Sequence, residues 1–163
     1  MRFSSLLVTL CTFSLNTQVR ALLEEKFVDF NGGDGSLSIV EATIFVNADD
    51  YVRVHIALKR LVNDFEQITG KRPVLENITA NSTITASGGG IIVGSVDSKL
   101  IRQLSAHTLV DISDVEGRWE VFQTAVIKTA IAGLEKALVI VGSDKRGTIF
   151  GIHTLAEQSG HSP

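Results

Sequence analysis

The segment from Ala137 to Gly160 constrains the fold most, because only one order of local structures satisfies it. Ala137 to Val141 is an unbroken apolar run, the pattern of a buried strand. Gly142-Ser143-Asp144 stops that run with turn-forming residues. Beyond Lys145 the apolar residues Ile149, Ile152, Leu155 and Ala156 fall on one face of a helix. A strand therefore delivers the chain to a polar turn from which a helix departs, with Ser143 or Asp144 as its cap. Lys145 and Arg146 stand beside the amide-rich N-terminus of that helix, where an anion is favoured. Two uses of this turn stay open. In one, Asp144 caps the helix, Arg146 pairs with backbone or with a carboxylate such as Glu157, and Gly147 permits close packing. In the other, Lys145 or Arg146 lies at a domain face, holding an acidic sugar or edging a neighbouring active site.

The rest of the chain repeats the alternation. Phe27–Phe30 reads as a short strand, Gly32–Gly35 as a turn, and Leu37–Val40 as a segment able to pair back across it. Ala42–Val46 is an apolar, β-branched and aromatic strand. Asp49 or Asp50 then caps a long helix whose stripe is Val54, Leu58, Leu61, Phe65 and Ile68, closed by Gly70 with Pro73 beyond. A strand starts between Pro73 and Leu75, and Ile91–Val96 is a strong buried strand. Asp97 or Ser98 caps a helix with Leu100, Ile101 and Leu104 on its apolar side. Arg118–Ile127 reads as a strand that turns near Ala132-Gly133 and pairs antiparallel with the strand ending at Val141. The expected fold is α/β, a mixed β-sheet covered by helices.

Composition narrows the function. The chain has 163 residues, enough for one domain with a hydrophobic core. Its net charge of −3 comes with no basic stripe, so nucleic-acid binding has no support. Residues 1–21 read as a signal peptide: Arg2 supplies the positive start, Leu6–Leu15 the short apolar run, and Val19-Arg20-Ala21 the cleavage site. That run is too short for a membrane anchor. The expected product is a secreted, extracellular domain over residues 22–163. The one cysteine, Cys11, lies in the leader, so no disulfide or thiol chemistry is expected in the mature domain. Asn77-Ile-Thr79 and Asn81-Ser-Thr83 are glycosylation sequons in a polar stretch that reads as an exposed loop.

Few patterns carry chemistry. Gly88-Gly89-Gly90 precedes a strand, the wrong side for a dinucleotide loop, and reads as a turn. His55, His107, His153 and His161 share no metal-ligand spacing, so no metal and no cofactor are expected. His55 reads as a solvated residue at the polar edge of its helix. A glycosidase needs two carboxylates at a defined separation. Asp49-Asp50 is explained by capping. Asp111, Asp114 and Glu116 form an acidic loop beside Trp119 that could hold a sugar, although a solvated turn with the indole packed on the sheet is the expectation. No complete active site emerges, and no catalytic residue is assigned.

The final block, Ser143-Asp-Lys-Arg-Gly-Thr-Ile-Phe-Gly-Ile-His-Thr-Leu-Ala-Glu-Gln-Ser-Gly160, resembles the motif Ser-Asp-Lys-Arg-Gly-Thr-Ile-Tyr-Gly-Ile-Tyr-x-Leu-Ser-Glu-Gln-x-Gly. That motif closes the N-terminal domain of glycoside hydrolase family 115, the xylan α-1,2-glucuronidases. Three earlier blocks are similar in the same order: Asn47-Ala-Asp-Asp-Tyr-Val through Leu61–Pro73, Ile91-Ile-Val-Gly94, and Gly117-Arg-Trp-Glu-x-Phe122. The resemblance implies an accessory α/β domain, similar to those preceding glycosidase (β/α)8 barrels, ending where the catalytic barrel begins. It implies that barrel as partner, with glucuronoxylan, a 4-O-methylglucuronic acid-bearing xylan, reached through the full-length enzyme by inversion. Phe150 and His153 depart from the motif, which has Tyr at both places. The alternative is a stand-alone secreted module that binds acidic carbohydrate without hydrolysing it.

Overall fold

The computed structural model describes residues 26–29, 36–40, 42–79, 82, 88–128 and 134–160. The expected leader, the turn at Gly32–Gly35, Asn81 and the turn at Ala132-Gly133 lie outside these residues. Within them the chain forms β1 (Thr43–Asn47), α1 (Val52–Thr69), β2 (Leu75–Ile78), β3 (Gly88–Ser95), α2 (Lys99–Ala106), β4 (Phe122–Lys128), β5 (Leu134–Gly142) and α3 (Lys145–Gln158). The five strands make one sheet in the order β2-β1-β3-β5-β4. Parallel pairing joins β2 to β1, β1 to β3 and β3 to β5, whereas β4 runs antiparallel to β5. The expected mixed α/β sheet is therefore present.

The central strands carry unbroken apolar runs, Ile44–Val46, Ile91–Val93 and Ala137–Val141, because both faces are covered there. Side chains alternate across a strand. Ile44, Val46, Ile91, Val93, Leu138 and Ile140 point to one face, where α1 lays down Val54, Leu58, Leu61 and Phe65 and α3 adds Ile152 and Leu155. Phe45, Ile92, Val139 and Val141 point to the other, against Leu100, Ile101 and Leu104 of α2 and against Val110, Ile112 and Val115 of the loop after it. The stripe expected on α1 is the buried one, except that Ile68 is 40% exposed near the helix end. Gly70 closes α1 in the left-handed conformation, with φ of 70°.

Several local expectations are corrected. Residues 26–29 and 36–39 form no strand. Phe27, Val28, Leu37 and Ile39 pack instead as a cover on the α1/α3 side of the core. The amides of Phe27 and Val28 donate to Oε1 of Gln158, at 2.9 and 3.2 Å. The three glycines 88–90 belong to β3, not to a turn. A Cβ on Gly90 would lie 2.7 Å from Leu134 Cδ1, so the bare backbone admits its large neighbours. Arg118 and Trp119 precede β4, which starts only at Phe122. Asn77 lies within edge strand β2, where it is exposed, and not in a loop.

Among the described glycines, those that meet backbone most closely lie where α3 seats on the sheet. A Cβ on Gly142 would fall 2.0 Å from the Thr148 amide nitrogen, and one on Gly147 would fall 2.1 Å from the Val121 carbonyl oxygen. Backbone cannot retreat as a flexible side chain can, so overpacking here costs more than in a yielding core. Gly142→Ala is expected to lower unfolding free energy by about 3 kcal/mol. Urea titration of the purified variant checks this, and a loss below about 0.5 kcal/mol would show that the contact is slack.

Candidate functional site

Parallel strands bring their C-terminal ends to one edge of the sheet, where open α/β folds place their sites. Here β1, β3 and β5 end at Asn47, Ser95 and Gly142, and antiparallel β4 begins beside them, Phe122 opposite Gly142. The chain leaves β1 toward β2 on one side, and leaves β3 toward β4 and β5 on the other. The crevice between β1 and β3 is thus the switch point at which such folds commonly bind ligand.

This crevice is occupied by the protein's own carboxylate. Asp50, 9% exposed, accepts the Ser95 amide on Oδ2 at 3.0 Å and the Ser95 hydroxyl on Oδ1 at 3.2 Å. Its Oδ1 also accepts the Tyr51 amide at 2.7 Å. The expected cap of α1 by Asp49 or Asp50 is not formed, since Tyr51 stands at the N-cap with no side-chain bond. Asp49 instead reaches Lys99 at 3.2 Å. The polar stretch was visible as a turn, but its partner Ser95 lies 45 residues away, beyond any local pattern. Ser98, the observed cap of α2, accepts the Ile101 amide at 3.3 Å in the same neighbourhood.

The second group of residues surrounds Asp144, which caps α3 as one of the two readings required. Its Oδ1 accepts the amides of Arg146 and Gly147, both at 2.8 Å. Its Oδ2 accepts the Glu120 amide at 2.9 Å, tying the loop before β4 to the start of α3. Ser143 completes the tie: its amide donates to the Val121 carbonyl at 2.9 Å, and its hydroxyl accepts the Val121 amide at 3.1 Å. The Arg146 guanidinium pairs with Glu120 at 2.8 Å, not with Glu157. Glu120 adopts φ of 56°, a region disfavoured for residues with a Cβ. These bonds over-determine that conformation.

The loop so fixed presents Trp119 to solvent. The indole is 79% exposed, which overturns the expectation that it packs on the sheet. The acidic loop splits: Glu116 pairs with Arg102 at 2.6 Å and Asp114 lies 3.8 Å from Arg118, while Asp111 accepts the Ser113 amide at 2.9 Å. Lys145 is exposed and has no carboxylate partner among the described residues. Beside this loop is an open hollow of about 470 Å³ lined by Glu120, Phe122, Phe150, His153 and Glu157. His55 is partly buried rather than solvated, and its Nε2 is buried without a hydrogen-bond partner. No cluster of three metal-ligating side chains occurs among the described residues, and no described helix is long and apolar enough to cross a membrane. Asp50 and Asp144 are engaged with amides, and Glu116 and Glu120 with arginines.

No protein-family model matches the chain, and no curated protein matches it. Among solved structures it is similar to a family GH115 4-O-methyl-α-glucuronidase with specificity for decorated arabinogalactans. Identity is 27% and the TM-score 0.57 over 78% of this chain, and the match spans 14% of that enzyme's length. The chain is thus distantly related in structure to one part of a larger glycosidase.

Burial pushes the Asp144 carboxyl up, but the amides of Gly147, Glu120 and Arg146 and the Arg146 charge outweigh it and hold it below the ordinary value. A carboxyl depressed on folding stabilises the fold above its unfolded value, about 3.9, and that stability is lost as pH falls through the depressed value. Asp144→Ala is expected to cost about 2 kcal/mol at pH 7. The cost should shrink in acid, once the pH falls below the ordinary carboxylate range. Urea unfolding of both proteins at the two pH values measures it, and a cost independent of pH would mean that the charge contributes nothing.

Proposed function

We propose that this chain is the accessory α/β domain of a secreted xylan α-1,2-(4-O-methyl)glucuronidase, inactive by itself. The observation that carries this reading is the 27% identical match over 78% of the chain to 14% of a larger glucuronidase. The chemistry agrees with it. An inverting glycosidase needs an acid and a base separated by room for water. The carboxylates at this sheet edge are already bound to Ser95, Gly147 and Arg146. The catalytic pair then belongs to a (β/α)8 barrel on which this domain packs. No cofactor or metal is required for that reaction. The signal-peptide pattern of residues 1–21 supports secretion, and the exposure of Asn77 is compatible with glycosylation there. Asn81 is the companion acceptor.

The test uses glucuronoxylan and the catalytic body of the matched family GH115 enzyme, made without the segment this chain resembles. The chain alone should release no 4-O-methylglucuronic acid. Added to the catalytic body, it should raise that body's melting temperature by about 3 °C or more, as binding to a folded partner does. Release of the sugar acid by the chain alone would overturn the reading.

A second reading is favoured by the exposed indole and the unpaired Lys145. Here the domain binds acidic carbohydrate, Trp119 stacking on a sugar ring and Lys145 or Arg146 meeting the carboxylate. Trp119 is the chain's one tryptophan, so its fluorescence reports directly on this surface. Glucuronoxylan oligosaccharides should shift the emission to the blue, and Lys145→Ala should weaken the titration in a salt-sensitive manner. Unchanged emission at millimolar oligosaccharide would remove this second reading.

A further inference from the structure

α1 and α3 lie side by side on one face of the sheet and leave an open groove of about 580 Å³ between them. Val52, Ile56 and Ile149 give the groove its apolar surface, and Arg53, Arg60 and His153 its polar heads. Val52 is 74% exposed and Ile56 49%. Helix α1 thus has two stripes: Val54, Leu58, Leu61 and Phe65 are buried on the sheet, and Val52, Arg53, Ile56 and Arg60 are not.

The arginines distinguish this groove from ordinary surface. Elsewhere each described arginine has a carboxylate partner: Arg72 has Glu66, Arg102 has Asp97 and Glu116, Arg118 has Asp114, and Arg146 has Glu120. Arg53 and Arg60 have none among the described residues, and both line the groove. Guanidinium forks are suited to bidentate capture of carboxylates. The two arginines are seven residues apart on one helix, which at 1.5 Å per residue is about 10 Å along its axis.

We propose that this groove docks an acidic, amphipathic polypeptide segment with two carboxylates about 10 Å apart, the spacing of i and i+7 on a helix, flanking aliphatic side chains. The aliphatic lining argues for polypeptide over sugar, whose rings are met by flat aromatic surfaces. Arg53 and Arg60 each take one carboxylate, while Val52, Ile56 and Ile149 cover the apolar side chains. The proposal rests on the accessory-domain reading, in that it assigns the segment to the catalytic body of the same enzyme.

The test is calorimetric titration of the chain into the catalytic body of the matched glucuronidase made without its own equivalent segment. Both arginines are exposed, so Arg53→Glu with Arg60→Glu should keep the circular dichroism and melting temperature of the parent. It should weaken binding at least tenfold, and Arg53→Lys with Arg60→Lys should retain an intermediate affinity. Binding by the parent that the double reversal leaves unchanged would overturn the groove while keeping the accessory-domain reading. No binding by the parent would remove both.

Discussion

One carboxylate fixes the geometry on which the functional surface depends. Asp144 takes amide hydrogens from Arg146, Gly147 and Glu120, so the first turn of α3 and the loop entering β4 share a single anchor. A neutral cap would satisfy the helix alone. The charged one also offsets the positive end of the α3 dipole, where Lys145 and Arg146 would otherwise add charge of the wrong sign. Glu120 completes the neutralisation of Arg146 and accepts a strained backbone in doing so. The result is an exposed indole on a stiff support. Exposed aromatic side chains on stiff supports suit recognition, because little conformational freedom is lost on contact.

Asp50 performs a different task at the neighbouring switch point. Folds of this topology commonly leave donors there for an anionic ligand. Here the Ser95 amide and hydroxyl are already satisfied by a buried side chain. The crevice that would have been the default site is closed from within, and the accessible features move outward to the loops and the α1/α3 groove.

What could be read in the sequence was whatever rests on local periodicity. The stripe on α1 apart from Ile68, its Gly70 stop and the Asp144 cap follow from neighbours within a few residues, the β4/β5 pairing from two adjoining strand patterns, and these are present. What could not be read depends on distant partners. Arg146 chooses Glu120 over Glu157, and Asp50 chooses Ser95 over its own helix, because the sheet brings those partners within reach. The glycines at 88–90 look like a turn locally, yet they serve a strand whose neighbours press close. Trp119 misleads for the opposite reason: average burial describes a tryptophan only until a loop is pinned away from the core.

The strand order carries a consequence for synthesis of the protein. The central strand β3 pairs with β1 on one side and with β5 on the other, so neither face of the core closes until β5 and α3 have been made. Two pairings join strands consecutive in the chain, parallel β1/β2 across α1 and antiparallel β4/β5, while β1/β3 and β3/β5 each span an intervening strand. Non-local parallel pairing bears its loop-closure cost before any contact compensates it, and such sheets assemble slowly. Until β5 and α3 are made, β1, α1 and β3 keep apolar surface that those two elements will later cover. A chaperone that shields Ile44–Val46 and Ile91–Val93 during that interval would govern how much of the chain reaches its folded state.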